Sequence, residues 1–177
     1  MGQLTESIID FVTGSALDTP PRDALMLAQR GFIDTLGVMI AGRHSDVTQV
    51  ILNYAKSVVY TTGEARVMLG SETGAVSDAA LIGTTAAHAL DYDDYAYSNH
   101  VSALMVPAII ADAERINASG QDMLAAYLAG FEVWGTVFKR EPQHLHSKGW
   151  HPTGVFGPLG VAAALCRLRR LRADEVR

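Results

Sequence analysis

Residues 86–107, AAHALDYDDYAYSNHVSALMVP, decide how this chain is read. His88, Asp91, Asp93, Asp94 and His100 crowd together there, in a sequence otherwise dominated by Ala, Leu, Ile and Val. Carboxylates and imidazoles are costly beside a core unless they are paired or used. The apolar runs on either side have helical length and spacing, so the stretch reads as a polar junction between two packed helices. If the first helix continues through the junction, His88, Asp91 and either Asp94 or Tyr95 lie three or four residues apart and share one face, while Asp93 points elsewhere.

Upstream of the junction, Ser77 is placed to cap a helix over 78–90, rich in Ala and Gly that permit close helix approach. Asp91, Asp93 and Asp94 then fall at its C-terminal end, where the macrodipole disfavours negative charge. That broken local rule points to function. Downstream, helices are expected over 102–117 and 119–139, with Pro107 tolerable only in a first turn or at a kink.

Farther out, Leu4, Ile8, Phe11 and Val12 recur at helical spacing up to Gly14. Thr19, Pro20 and Pro21 predict a cap and first turn for a helix running to Gly42. Its later part, FIDTLGVMIAG, is apolar almost all round and predicts burial in the middle of a bundle. Asp46 is placed to cap a third helix with Val47, Val50, Ile51 and Tyr54 on one face, and 65–69, between Gly63 and Gly70, is the only plausible strand. From Thr153 a last apolar helix ends among Arg167, Arg169, Arg170 and Arg172, where cations suit the dipole, and ADEV opens another. The expected fold is an all-α helical bundle, one helical domain over 1–177, with at most a short strand or hairpin near 64–70.

Bulk properties narrow the function classes. With 177 residues, 49% hydrophobic and 19% charged, the chain has the composition of a folded domain. A formal charge of −5 lacks the basic footprint of a nucleic-acid binder. Cys166 is the single cysteine, which forbids an internal disulfide and cannot supply an iron–sulfur cluster. MGQLTESIIDFV lacks the basic and continuously apolar regions of a signal peptide, and no stretch approaches a membrane span without charge or glycine punctuation. The expectation is a cytoplasmic protein with neither nucleic-acid nor membrane partners.

A second constellation is KREPQHLHSKGWHPTG over 139–154. Three basic side chains and three histidines accompany one acid, Glu141, so the local sign of charge reverses and the segment can receive an anion. His151 precedes a helix start whose free amides also attract carboxylate or phosphate. His144 and His146 read as solvated loop residues. Gly154, Gly157 and Gly160 read as close helix packing rather than a phosphate loop, because neither a preceding strand nor a following lysine accompanies them. The histidine and aspartate spacings can serve a metal, yet HExxH and comparable ligand pairs are lacking, so the expectation from the residues is no metal.

The run AHALDYDDYAYSNHVSALMVPAIIADAE (87–114), followed downstream by GWHPTGVFGPLGVAAAL (149–165), resembles the MmgE/PrpD family, which includes 2-methylcitrate dehydratase and cis-aconitate decarboxylase. FIDTLGVMIAG agrees with that resemblance. It implies an all-α domain that full-length relatives join to a smaller α/β lid, acting without metal or organic cofactor and commonly as a homodimer. It further implies that Asp91, His100 and His151 line the active site. Asp94, Tyr95, Lys148 and Thr153 are the candidate substrate-binding residues around them. Relatives often carry threonine where Tyr95 stands and proline where Val101 stands, and they draw a lysine and a tyrosine from regions beyond residue 177. The expected activity is therefore the N-terminal portion of a cofactor-independent dehydratase or decarboxylase for a small polycarboxylate, with an incomplete site and little turnover alone. Two other readings are a catalytically silent helical or dimerisation module and, less favoured, a metal-dependent hydrolase.

Overall fold

A computed structural model describes residues 2–57, 63–141 and 145–177. Among them eight α-helices accompany one two-stranded antiparallel hairpin, so the all-α expectation holds. In chain order the elements are α1 (Gln3–Thr13), α2 (Arg22–Gly42), α3 (Asp46–Ser57), β1 (Ala65–Arg66), β2 (Thr73–Gly74), α4 (Val76–His88), α5 (Val101–Ile116), α6 (Gly120–Phe138), α7 (Pro152–Leu168) and α8 (Ala173–Val176).

The helix at the centre is α5. Val101, Met105, Val106 and Ile109 are fully buried, and Ala103, Ala108, Ala111 and Ala113 let neighbouring helices close around them. Pro107 stands in the second turn of a helix that runs through without interruption, and it packs on Gly83 of α4, where a Cβ would come within 2.9 Å of its ring. Contact with α5 comes from α4 on one side and from α6 and α7 on the other. Backbones approach closely at two places: a Cβ on Gly42 of α2 would fall 2.0 Å from the Ala86 carbonyl oxygen of α4, and one on Gly130 of α6 would fall 2.6 Å from the Gly160 carbonyl oxygen of α7. Trp134 is wholly buried in the space that Gly157 and Gly160 leave.

The expectation that α2 lies in the middle of the bundle is overturned. Ala28, Gly31, Thr35, Val38 and Met39 face inward, but Leu27, Ile33 and Ile40 are more than half exposed. The apolar face proposed for α3 also points outward at Val47, Val50 and Tyr54, with Thr48, Leu52 and Ala55 buried instead. Hydrophobicity alone does not say which side of a helix finds a partner; the small residues that permit close approach do. α2 is also the one helix among the described residues long and apolar enough to cross a membrane, with mean hydropathy 1.3. It carries Arg30 and Asp34 near its middle and seats Gly31 against the Tyr127 hydroxyl.

Several helix starts shift from their sequence expectations. Pro20 and Pro21 precede α2 rather than forming its first turn, Ser45 rather than Asp46 caps α3 by accepting from the Thr48 N–H at 3.4 Å, and α4 begins at Val76 with Ala75 at its cap. Ser119, expected as the first residue of its helix, instead caps α6 in a reciprocal box with Asp122. The expected strand is confined to Ala65–Arg66 and continues as a single 3-10 turn. Glu114 clips that hairpin to α5 by accepting from the Arg66 backbone N–H at 2.6 Å and its Nε at 2.9 Å. Asp112, fully buried in α5, accepts from Arg115 and Arg169. Burial alone would raise its carboxyl, but those two guanidinium groups outweigh burial and hold it below the usual range.

Candidate active site

The junction between α4 and α5 is where the chemistry collects. α4 ends at His88, and Asp91 then adopts a left-handed backbone with φ 54°. Aspartate tolerates that conformation better than most residues, and the turn sends the chain away from the helical path. Tyr97 and Ser98, with φ 54° and 56°, make a tight reversal closed by the Ala96–Asn99 bridge. Each left-handed non-glycine residue costs about 1–2 kcal/mol, so the reversal needs support from outside. Tyr97 supplies it: its ring lies 5.2 Å from Phe131 and 5.7 Å from Phe138, in space left by Gly135, where a Cβ would approach the phenol to 2.7 Å. His100 emerges from this reversal as the N-cap residue of α5.

Around His100 the side chains converge. Its Nδ1 lies 3.0 Å from Asp93 Oδ2, and His88 Nδ1 lies 2.9 Å from Asp93 Oδ1. Its Nε2 faces Asp91 Oδ1 at 3.7 Å, and the Tyr95 ring meets it edge-on at 5.5 Å. The expectation that Asp93 points elsewhere is overturned, because it assumed a helix that stops at His88. Asp93 is the buried centre of the group, whereas the Asp91 side chain is 80% exposed.

Asp94 turns the opposite way. Its carboxylate accepts from the Ser102 N–H at 3.2 Å and from the Ser102 hydroxyl at 2.5 Å, so it satisfies two donors at the start of α5. The Ser102 oxygen is in turn 2.7 Å from the Tyr127 hydroxyl. Burial pushes the Asp94 carboxyl above its ordinary value against these hydrogen bonds, and the charges of Asp34 and Asp93 push the same way. Burial likewise pushes the Tyr127 phenol up to about 12.

The second constellation meets the first at two helix starts. His151 is the N-cap residue of α7, with Pro152 in the first turn, and Thr153 is buried with its Oγ1 3.5 Å from the His100 N–H. The first turns of α5 and α7 therefore adjoin, and their free N–H groups give this corner a positive bias suited to carboxylates. His151 is exposed, its ring 5.7 Å from His146. Lys148 pairs with Glu141 at 2.8 Å, and His144 lies outside the described residues. The structure thus gathers Asp91, Tyr95, His100 and Thr153, sets His151 on the adjoining helix start, and sends Asp94 to Ser102.

Among the described residues, the two roomiest recorded concavities open elsewhere. One of about 490 Å³ is lined by Asp18, Ser119, Asp122, Arg167 and Arg170, and one of about 460 Å³, between α2 and α6, by Gly31, Asp34, Asp94, Tyr127 and Phe131. Asp91, His100 and His151 line neither. One ligand-capable atom from each of His88, Asp91, Asp93 and His100 lies within 4.8 Å of the others, a set of two imidazoles and two carboxylates able to hold a divalent cation.

Comparison with known proteins supplies the remaining observations. The family profile of the MmgE/PrpD N-terminal domain matches residues 6–177. Cis-aconitate decarboxylase of Mus musculus is 27% identical over 183 residues, covering 98% of this chain and 37% of that protein. The Homo sapiens cis-aconitate decarboxylase is 28% identical with the same coverage. Cis-aconitate decarboxylase-like protein oryM of Aspergillus oryzae is 27% identical over 188 residues, covering 98% of this chain and 38% of its own length. The chain therefore spans little more than a third of the curated relatives it matches.

Proposed function

The chain belongs to the MmgE/PrpD family, and from that premise we propose that it carries the helical, site-bearing portion of a cofactor-independent lyase for a small polycarboxylate such as cis-aconitate or 2-methylcitrate. The observation that carries this reading is the pairing of His100 Nε2 with Asp91 Oδ1 across 3.7 Å, at the adjoining N-termini of α5 and α7. An imidazole beside an exposed carboxylate can move a proton near neutral pH. The helix N-termini and His151 offer the positive potential that several substrate carboxylates require.

Either lyase reaction fits this arrangement. In dehydration a base removes the proton on the carbon next to a carboxylate, the electron pair forms the double bond, and an acid protonates the departing hydroxyl. In decarboxylation carbon dioxide leaves its bonding pair on carbon, which then takes a proton. His100 and His151 share the acid, base and anion-binding duties, with Asp91 orienting an imidazole or a water. The test is direct: the purified chain is incubated with cis-aconitate and with 2-methylcitrate, and loss of substrate is followed by NMR. Turnover by the wild type that falls about 10²–10⁴-fold in His100→Ala supports the lyase. Because little turnover is expected of this portion alone, binding of cis-aconitate is followed as well, and absence of both turnover and binding selects the silent helical module.

A metal-dependent hydrolase is the second reading, favoured by the cluster of His88, Asp91, Asp93 and His100 ligand atoms. Stoichiometric zinc or manganese in the purified chain, with activity that disappears on chelation, would select it over the lyase.

A further inference from the structure

Two of the aspartates in DYDD have the same side chain and opposite surroundings. The Asp91 side chain is 80% exposed, and that of Asp93 is 0% exposed. A buried carboxylate is tolerable only if both oxygens find donors, and Asp93 finds one on each: His88 Nδ1 at 2.9 Å on Oδ1 and His100 Nδ1 at 3.0 Å on Oδ2. The two rings it joins stand 4.5 Å apart, tilted by 53°.

A carboxylate offers only acceptors, so each Nδ1 must carry its hydrogen to make these bonds. A ring with Nδ1–H holds its lone pair on Nε2 when neutral and adds a proton there when it becomes cationic. The atom of His100 that exchanges a proton is then Nε2, the one facing Asp91. We infer that Asp93 is a positioning residue that holds both His88 and His100 in the Nδ1–H tautomer and so aims the Nε2 of His100 at the reacting side of the corner. The catalytic consequence rests on the lyase reading; the tautomer does not.

The experiment separates the two. The full chain is labelled with 15N-histidine, and long-range 1H–15N correlations are recorded at a pH where the rings are neutral. Resonances are assigned by His88→Gln and His100→Gln. The expected result is Nδ1–H for both His88 and His100, opposite to the form that free histidine prefers in water. In Asp93→Asn the side chain keeps one acceptor and gains a donor, so at least one of the two rings changes to Nε2–H or to a mixture, while His146 and His151 keep their signals as internal references. Asp91→Asn, altering an exposed group, leaves both rings as Nδ1–H.

An Nε2–H form of His100 in the wild type overturns the inference outright, and that measurement holds even if Asp93→Asn fails to fold. A folded Asp93→Asn with both rings unchanged overturns it as well. On cis-aconitate, a positioning role predicts a kcat at least about 10²-fold lower in Asp93→Asn with KM nearly unchanged, the pattern expected when an imidazole is left in the wrong tautomer. Nδ1–H rings in a chain that neither turns over nor binds cis-aconitate would count against the lyase reading alone and support the assignment of Asp93.

Discussion

Ser102 ties together two groups whose ionisation the fold resists. Its N–H and hydroxyl donate to Asp94, and its oxygen is 2.7 Å from the Tyr127 hydroxyl. Because burial raises the Asp94 value in the folded state above 3.8, this group's contribution to stability is fully present below 3.8 and is lost as pH rises through the folded value. Asp94→Asn removes the titration and keeps an acceptor for the Ser102 N–H. The variant is expected to unfold at an equal or higher urea concentration than wild type at neutral pH, with a flatter dependence of the midpoint between pH 3.8 and neutrality. A much lower midpoint would mean that α5 requires the charged carboxylate. Tyr127 follows the same sign at the alkaline end: its contribution is present below pH 10 and is lost as pH rises to about 12, which phenolate absorbance follows directly. The residues of the site were legible in the sequence because ionisable groups stand out against Ala and Val. Their pairing was not, since Asp93 reaches His88 and His100 across a loop that opens with the left-handed Asp91, and a loop carries no periodicity to read.

At the level of elements, stability depends on how closely α6 and α7 approach. A Cβ on Gly130 would sit 2.6 Å from the Gly160 carbonyl oxygen and 2.9 Å from Ala164 Cβ, so Gly130→Ala must shift backbone rather than a flexible side-chain end. It is expected to cost about 1–3 kcal/mol, read from the urea midpoint. Gly154, in the first turn of α7, has nothing within 4 Å of its would-be Cβ, and Gly154→Ala is expected to leave stability unchanged or raise it by up to about 1 kcal/mol. The two variants together separate close packing from glycine content. Sequence spacing suggested close packing at Gly154, Gly157 and Gly160, and the structure supports it at the last two. It also suggested burial of the later part of α2 in the middle of the bundle, whereas α5 takes that place: both carry long apolar runs, but the alanines of α5 admit helices on several sides, and Ile33 and Ile40 on α2 do not. Helical periodicity reports that a helix exists and leaves open which of its faces is covered.

For the molecule as a whole, the uncovered apolar stripes have a measurable consequence. The accessible surface is 9528 Å², against about 8,400 Å² for a compact monomer of this mass, an excess on the scale of one partner's share of a standard protein interface. Leu27, Ile33 and Ile40 on α2 and Val47, Val50 and Tyr54 on α3 are each more than half exposed, and apolar patches left open in this way are normally covered by another surface. We propose a second copy of the chain as the occupant, in line with the homodimer that the sequence resemblance implies. Sedimentation equilibrium at micromolar concentrations is then expected to give twice the chain mass of 19.0 kDa. Ile33→Lys combined with Val50→Lys places a charge on each stripe without touching buried residues, and should return the chain to 19.0 kDa with unchanged helix content. A wild type that stays at 19.0 kDa at the highest soluble concentration would rule out self-pairing on this face. Dissociation by the lysine pair, with the 15N-histidine spectrum preserved, would place the dimer surface and the α4–α5 junction on energetically independent parts of the fold.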